Sequence, residues 1–157
     1  MLRSVYCLVF CLLPALGYTA ETGNTANEQL VLGFSRALDQ SFRAGTLSQD
    51  VTGIATRYMR EDFIEHRAGE ASGRQAFIDA HLRIGAHIKP NPDYEFARVV
   101  EIMSKGDRVF LLTHRDHNPA NTAQKVDLYI FNMYRIENGQ LAEHWEAMSP
   151  ALAEGSK

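Results

Sequence analysis

His66 and His114 are the side chains best suited to acid–base work in this sequence. Imidazole titrates nearest neutral pH, and a positioned one speeds proton transfer by roughly 100- to 10,000-fold. His66 follows a helical segment, where a pocket rim would lie; its plainer role is to bond a backbone carbonyl and shape the turn. His114 shares a strand face with Phe110 and Leu112, a polar intruder among apolar side chains. Asn132 is a second intruder, on the face of Val126, Leu128, Ile130, Tyr134 and Ile136 by strand alternation. A buried polar side chain costs ~1–3 kcal/mol unless it is paired. Two of them on faces meant to meet helices predict a lined pocket rather than a dry core. Asn132 can orient a carbonyl or a water there, as an amide does in an oxyanion site, with Tyr134 beside it. Trp145, the only tryptophan, and Tyr58, on a helical apolar stripe, are further candidates for substrate contact. Both could equally serve only to fill the core.

Other chemistries find less support. His114-Arg115-Asp116-His117 invites a metal, but strand residues three apart point to opposite faces. No His-Glu-x-x-His, paired-cysteine spacing or Gly-x-Ser-x-Gly elbow occurs, and no Gly-rich loop follows a strand. The expectation is a chain that works without metal, nucleotide or other cofactor.

Helices in the first half and strands in the second must position these groups, which is the order of an α+β domain. Thr25-Ala26-Asn27-Glu28 has capping-box spacing, and Leu30, Val31, Phe34, Leu38 and Phe42 continue it as one apolar stripe to Gly45. Thr46 and Gln49 repeat the box before Val51, Ile54, Ala55, Tyr58 and Met59. Ser72–Gln75 starts a third helix through Phe77, Ala80, Ile84 and Ile88, ended by Pro90 and Pro92. The period then changes. Strands are expected at Tyr94–Ser104, Arg108–His117, Lys125–Glu137 and Gln140–Met148. Turns at Lys105-Gly106-Asp107 and Asn138-Gly139 and a loop at Asn118–Gln124 join them, and a further short strand fits around Phe63–His66.

The chain's 157 residues suit one domain, and 45% hydrophobic with 22% charged residues is ordinary globular composition. A formal charge of −3 lacks the basic footprint that nucleic acid requires. Residues 1–20 read as a secretory signal peptide: Arg3, then the apolar run Val5–Leu16, then small residues. That run is too short for a bilayer, which takes about 20 residues. Cleavage after Gly17 or Ala20 would remove Cys7 and Cys11, the only cysteines. Export to a periplasm or to the outside is therefore expected, with no stable membrane insertion of the mature protein. The domain is expected over 27–150, followed by a flexible tail at 151–157.

Three stretches resemble the SnoaL-like polyketide cyclases. The first is Tyr58…Asp62-Phe63-Ile64-Glu65-His66 with Gly73-Arg74-Gln75-Ala76-Phe77, and the second is Val109–His114. The third, Asn132–Glu146, is similar to the family's C-terminal signature and is the most specific. The likeness covers about 27–150. It implies a cystatin-like, nuclear transport factor 2-like fold: three helices on a curved, mainly antiparallel sheet of four to six strands, enclosing a cone-shaped apolar pocket. It also implies acid–base chemistry at enolisable carbon, such as aldol ring closure or isomerisation, and in many relatives a dimer. Where the family signature has an aspartate implicated as acid/base, this chain has Asn132; where it ends in aspartate, this chain has the longer Glu146. An amide shuttles no proton at ordinary pH. Two readings follow. One is a cofactor-free lyase or isomerase acting on a small apolar carbonyl compound, with His66 and His114 as acid/base and Asn132, Trp145, Tyr58, Tyr134 and Glu146 contacting substrate. The other is a non-catalytic binding or dimerisation domain.

Overall fold

The computed structural model describes residues 25–117 and 126–148. The expected signal peptide, the loop at Asn118–Gln124 and the tail at 151–157 lie outside the described residues. Three helices, α1 (Ala26–Ala44), α2 (Leu47–Tyr58) and α3 (Arg74–Gly85), accompany five strands. The strands are β1 (Met59–Glu65), β2 (Arg98–Lys105), β3 (Arg108–His117), β4 (Val126–Glu137) and β5 (Gln140–Met148). Their order across one sheet is β1-β5-β4-β3-β2. β2 to β5 form the expected antiparallel meander, and β1 joins its edge parallel to β5. Among the described residues no helix is long and apolar enough to cross a membrane.

Local chemistry explains most boundaries. The Thr25 hydroxyl accepts from Glu28 N at 3.2 Å and Thr25 N donates to Glu28 Oε2 at 3.0 Å, completing the capping box of α1. Gly45 ends α1 with φ 70°, and a Cβ there would lie 2.5 Å from Pro90 N, so only glycine lets the two segments meet. Asn138 and Gly139, at φ 53° and 74°, make the left-handed pair that a tight hairpin between β4 and β5 needs.

Other boundaries differ from expectation. Thr46 bonds the Asp50 carboxylate rather than capping α2 through its side chain. Gly73, not Ser72, is the N-cap of α3; the Ser72 hydroxyl accepts from Glu65 N at 3.1 Å instead. α3 stops at Gly85, three residues short of Ile88, and Ile84 stays exposed. Met59 opens β1 rather than closing a helix stripe, and β2 begins at Arg98 rather than Tyr94.

The core lies between the helices and one sheet face. Val31 and Phe34 from α1 and Leu47, Val51 and Ala55 from α2 meet Val109, Leu111, Tyr134, Ile136 and Leu141. This fixes the faces of β3 opposite to expectation. Val109 pairs with Tyr134 and Leu111 with Asn132, and directly paired residues share a face. Val109, Leu111, Thr113 and Arg115 therefore face the helices, while Phe110, Leu112 and His114 face away. Both faces of β3 carry large apolar residues, so alternation alone could not choose between them. On β5, a register shift between Arg135 and Ile136 lets Leu141 and Ala142 both be buried, after which His144 and Glu146 continue inward.

Candidate functional site

A cavity of about 280 Å³ opens between α1 and the inner sheet face. Phe34, Leu38 and Phe42 of α1 form its helical wall, and Leu111, Thr113, Ile130 and Tyr134 form its sheet wall. Besides Ser35 and Thr113, its polar lining comes from Asn132, Glu146, Asp39, Arg115 and Tyr94, which fall into two groups.

The first group grows from β4 and β5. Asn132 and Glu146 are register partners, so their side chains stand side by side on the inner face. Behind Asn132 lies His144, on the next inward position of β5. Asn132 Oδ1 is 3.0 Å from His144 Nε2, and His144 Nδ1 is 2.8 Å from Glu65 Oε2. Both Asn132 and His144 are 8% exposed, which makes this a dry chain of hydrogen bonds. The parallel pairing of Glu65 with His144 supplies its last link. The His144 ring thus links the Glu65 carboxylate to the Asn132 amide and holds that amide in place. Burial on its own would raise the Glu65 carboxyl. The hydrogen bond and charge of His144, with Arg67, outweigh it and hold Glu65 below the ordinary range.

Tyr134 stacks on His144 with ring centroids 4.6 Å apart. Burial, reinforced by the charges of Glu146 and Glu65, pushes its phenol far up, so it remains a hydrogen-bond donor. Glu146 Oε1 accepts from Arg67 Nη1 at 3.0 Å.

The second group joins three separate segments. Asp39 of α1 accepts from Tyr94 Oη at 2.9 Å, from Arg115 Nη2 at 3.2 Å and from Ala97 N at 3.3 Å. Arg115 Nη1 donates to Tyr94 Oη at 2.9 Å. The Tyr94 ring lies parallel to Phe42, 6.1 Å away. Sequence reasoning singled out none of Glu65, His144, Asp39, Tyr94 or Arg115 as site residues. The available signals were His144 within the C-terminal signature and Arg115 on the alternate parity of β3.

Of the expected site residues, the structure brings Asn132, Tyr134 and Glu146 to the cavity. Tyr58 instead packs in the core, 5.8 Å from Phe34 and against Gly33, where a Cβ would lie 3.0 Å from its hydroxyl. Trp145 pairs with Met133 on the outer face and stacks on His66 at 4.2 Å. His66 Nε2 meets Glu143 Oε2 at 2.8 Å on that same side. First the His66 hydrogen bond and then Arg135 hold the Glu143 carboxyl low. His114 also faces outward, with Nε2 2.8 Å from Asp127 Oδ1 and Nδ1 3.2 Å from Arg98 Nη2. Neither histidine lines the cavity: His114 has the outward parity of β3, and His66, just past the end of β1, stacks on the outward Trp145.

Among the described residues, His114, Asp116 and Asp127 could bring one ligand atom each within 4.8 Å of one another. The Arg98 guanidinium on His114 sets a positive charge against any cation there.

Comparisons with known proteins agree with this architecture. No curated protein matches the sequence. A candidate polyketide cyclase from Acidithiobacillus ferrooxidans superposes with TM-score 0.57 at 12% identity, covering 82% of this chain and 92% of that one. IdmH, a candidate polyketide cyclase from Streptomyces antibioticus, gives 0.53 at 20% identity, over 78% and 96%. An NTF2-like protein of unknown function from Cytophaga hutchinsonii gives 0.53 at 16%, over 85% and 98%. At these identities the likenesses establish the fold alone. The family model for SnoaL-like polyketide cyclases matches residues 36–150, which span both strands that carry Asn132 and Glu146. With the family model covering most of the chain and the helix-wrapped sheet agreeing with it, the protein belongs to the SnoaL-like polyketide cyclase family and has an NTF2-like fold.

Proposed function

We propose that the protein binds a small carbonyl compound in the cavity and catalyses cofactor-free proton transfer at the carbon beside the carbonyl. The observation that carries this reading is the Asn132–Glu146 pair, side by side on the cavity wall. Asp39, the other lining carboxylate, accepts from three donors and is fully engaged. Glu146 is paired through Oε1 with Arg67 and is the carboxylate that stands beside Asn132.

Glu146 takes the α-proton, and the C–H electron pair becomes the C=C bond of an enolate. The Asn132 Nδ2–H and the Tyr134 hydroxyl meet the negative oxygen, as donors fixed before the charge develops. Attack of the enolate carbon on a second carbonyl forms the new C–C bond. Protonated Glu146 then returns its proton to the resulting alkoxide. Reprotonation at another carbon would give isomerisation instead. His144 and Glu65 are positioning residues that hold the Asn132 amide. Asn132 thus keeps a polarising role where the family resemblance would put an aspartate, and the carboxylate that takes the proton is on the neighbouring strand.

The test is α-proton exchange of α-tetralone in D2O, followed by NMR. Wild type accelerates exchange; Glu146→Gln lowers the rate by about 100-fold or more, the usual worth of a general base. Equal rates in the two proteins would sink the assignment, and a fall seen with His66→Ala instead would return the role to that histidine.

Two expectations from the sequence accompany this proposal. Export is supported by the order Arg3, Val5–Leu16 and small residues, and N-terminal sequencing of the mature protein tests it. Dimerisation through the outer sheet face is supported by Met103 and Phe131, 52% and 43% exposed.

A further inference from the structure

The second polar group of the cavity, Arg115 with Asp39 and Tyr94, takes no part in the proton transfer. It lines the same cavity as Asn132 and Glu146. Leu111 is the register partner of Asn132, and Arg115 lies four residues further along β3. At roughly 3.3 Å per residue the two groups are about 13 Å apart along the strand, less the reach of their side chains.

Arg115 is built into place rather than left to solvent. Among the described residues, Nη1 donates to Tyr94 and Nη2 to Asp39, out of the five N–H bonds of a guanidinium. The guanidinium carbon lies 5.7 Å from the centre of the Tyr94 ring. Its Nε is buried without a hydrogen-bond partner among the described residues. The group is thus an oriented cation on a cavity wall, and any donation to a ligand there comes from its Nη atoms.

The charges lining the cavity are already balanced inside the protein. Arg115 is paired with Asp39 at 3.2 Å, and Glu146 with Arg67 at 3.0 Å. A charged ligand would enter a partly dry site whose charges among the described residues are already paired, and desolvation would oppose it. Size narrows the ligand further. A volume of about 280 Å³ falls below the ~300–1,000 Å³ usual for drug-sized ligands.

We propose that Arg115 is the specificity-determining residue of this cavity, donating to a neutral oxygen at the far end of a one- or two-ring carbonyl compound whose reacting end lies at Asn132 and Glu146. The assignment rests on the enolisation reading for where the reacting end sits. It favours one- or two-ring compounds over three-ring ones and disfavours carboxylates.

Binding of α-tetralone, its ring-hydroxylated derivative with the hydroxyl para to the carbonyl, the corresponding para-carboxylate and the three-ring ketone anthrone is measured by calorimetry. Wild type should prefer the para-hydroxy compound over α-tetralone by about tenfold, the worth of one hydrogen bond to a charged donor. It should bind the carboxylate and anthrone more weakly than α-tetralone. The Arg115→Met/Asp39→Asn double variant leaves no unpaired charge. It should lose the preference for the hydroxyl while still binding α-tetralone. General loosening of the site would lower all affinities together and leave the ratio unmoved. If the double variant does not fold, Arg115→Lys, which keeps the charge but not the planar fork, should reduce the ratio. A ratio near one in wild type, a ratio retained in the variants, or tightest binding of the carboxylate or anthrone would overturn the proposal. Discrimination without any α-proton exchange would overturn the acid–base reading alone. Exchange without discrimination would overturn the Arg115 assignment alone.

Discussion

His144 Nε2 lies 3.0 Å from Asn132 Oδ1, joining diagonal neighbours on β5 and β4 inside the protein. The bond carries the Glu65 carboxylate's influence to an amide at the cavity wall. It makes Asn132 both a structural and a functional residue, and the two roles can be separated by substitution.

Asn132→Leu removes the acceptor and strands a buried imidazole nitrogen. The unfolding free energy should fall by about 1–3 kcal/mol, read from urea denaturation. Asn132→Asp keeps an acceptor at Oδ1 and should retain most of that stability. It should also weaken carbonyl binding, because a carboxylate offers no N–H to the substrate oxygen. A leucine variant as stable as wild type would show that the bond has no structural role.

Glu65 sets an acid limit on stability. Its folded carboxyl lies below the ordinary value of 4.5, the His144 contact outweighing burial. A depressed carboxyl contributes stability that is fully present above the unfolded value. It loses that contribution as pH falls through the folded value. Glu65→Gln should therefore be less stable than wild type at neutral pH, and the gap should close progressively below about pH 4.5. Parallel stability-against-pH curves for the two proteins would contradict this linkage.

Phe34 is the hub between the helices and the cavity. Its ring centroid is 5.8 Å from Tyr58, 6.0 Å from Phe77 and 6.2 Å from Tyr134. Phe34→Ala should cost about 3–5 kcal/mol in thermal or denaturant unfolding. Because Phe34 also lines the cavity, small aromatic ketones added in excess should restore part of the lost melting temperature.

Phe131 and Met103 test the outer face. Dimerisation through it should give wild-type elution that shifts with concentration in sizing chromatography. Phe131→Glu, placing a charge on that face, should elute as a monomer at every concentration. A wild type that is strictly monomeric would count against the dimer.

The amino-acid sequence by itself determined what local chemistry can determine. The Thr25–Glu28 box, the Asn138-Gly139 turn and the change of period after Pro92 are satisfied by residues close in the chain, so element order was legible. Asn132, Tyr134 and Glu146 were legible as candidates because they sit in one fifteen-residue signature whose alternation predicts a shared face for the first two. The tertiary structure decided which side of β3 meets the helices, since Val109 and Leu111 are as apolar as Phe110 and Leu112. That moved His114 outward and Arg115 inward. It also brought Glu65 to His144, 79 residues apart, and Asp39 to Arg115, 76 apart. Such contacts depend on how the edge strand pairs and where a long helix lies on the sheet. Those choices are set by burial summed over the whole core, which no local pattern of residues encodes.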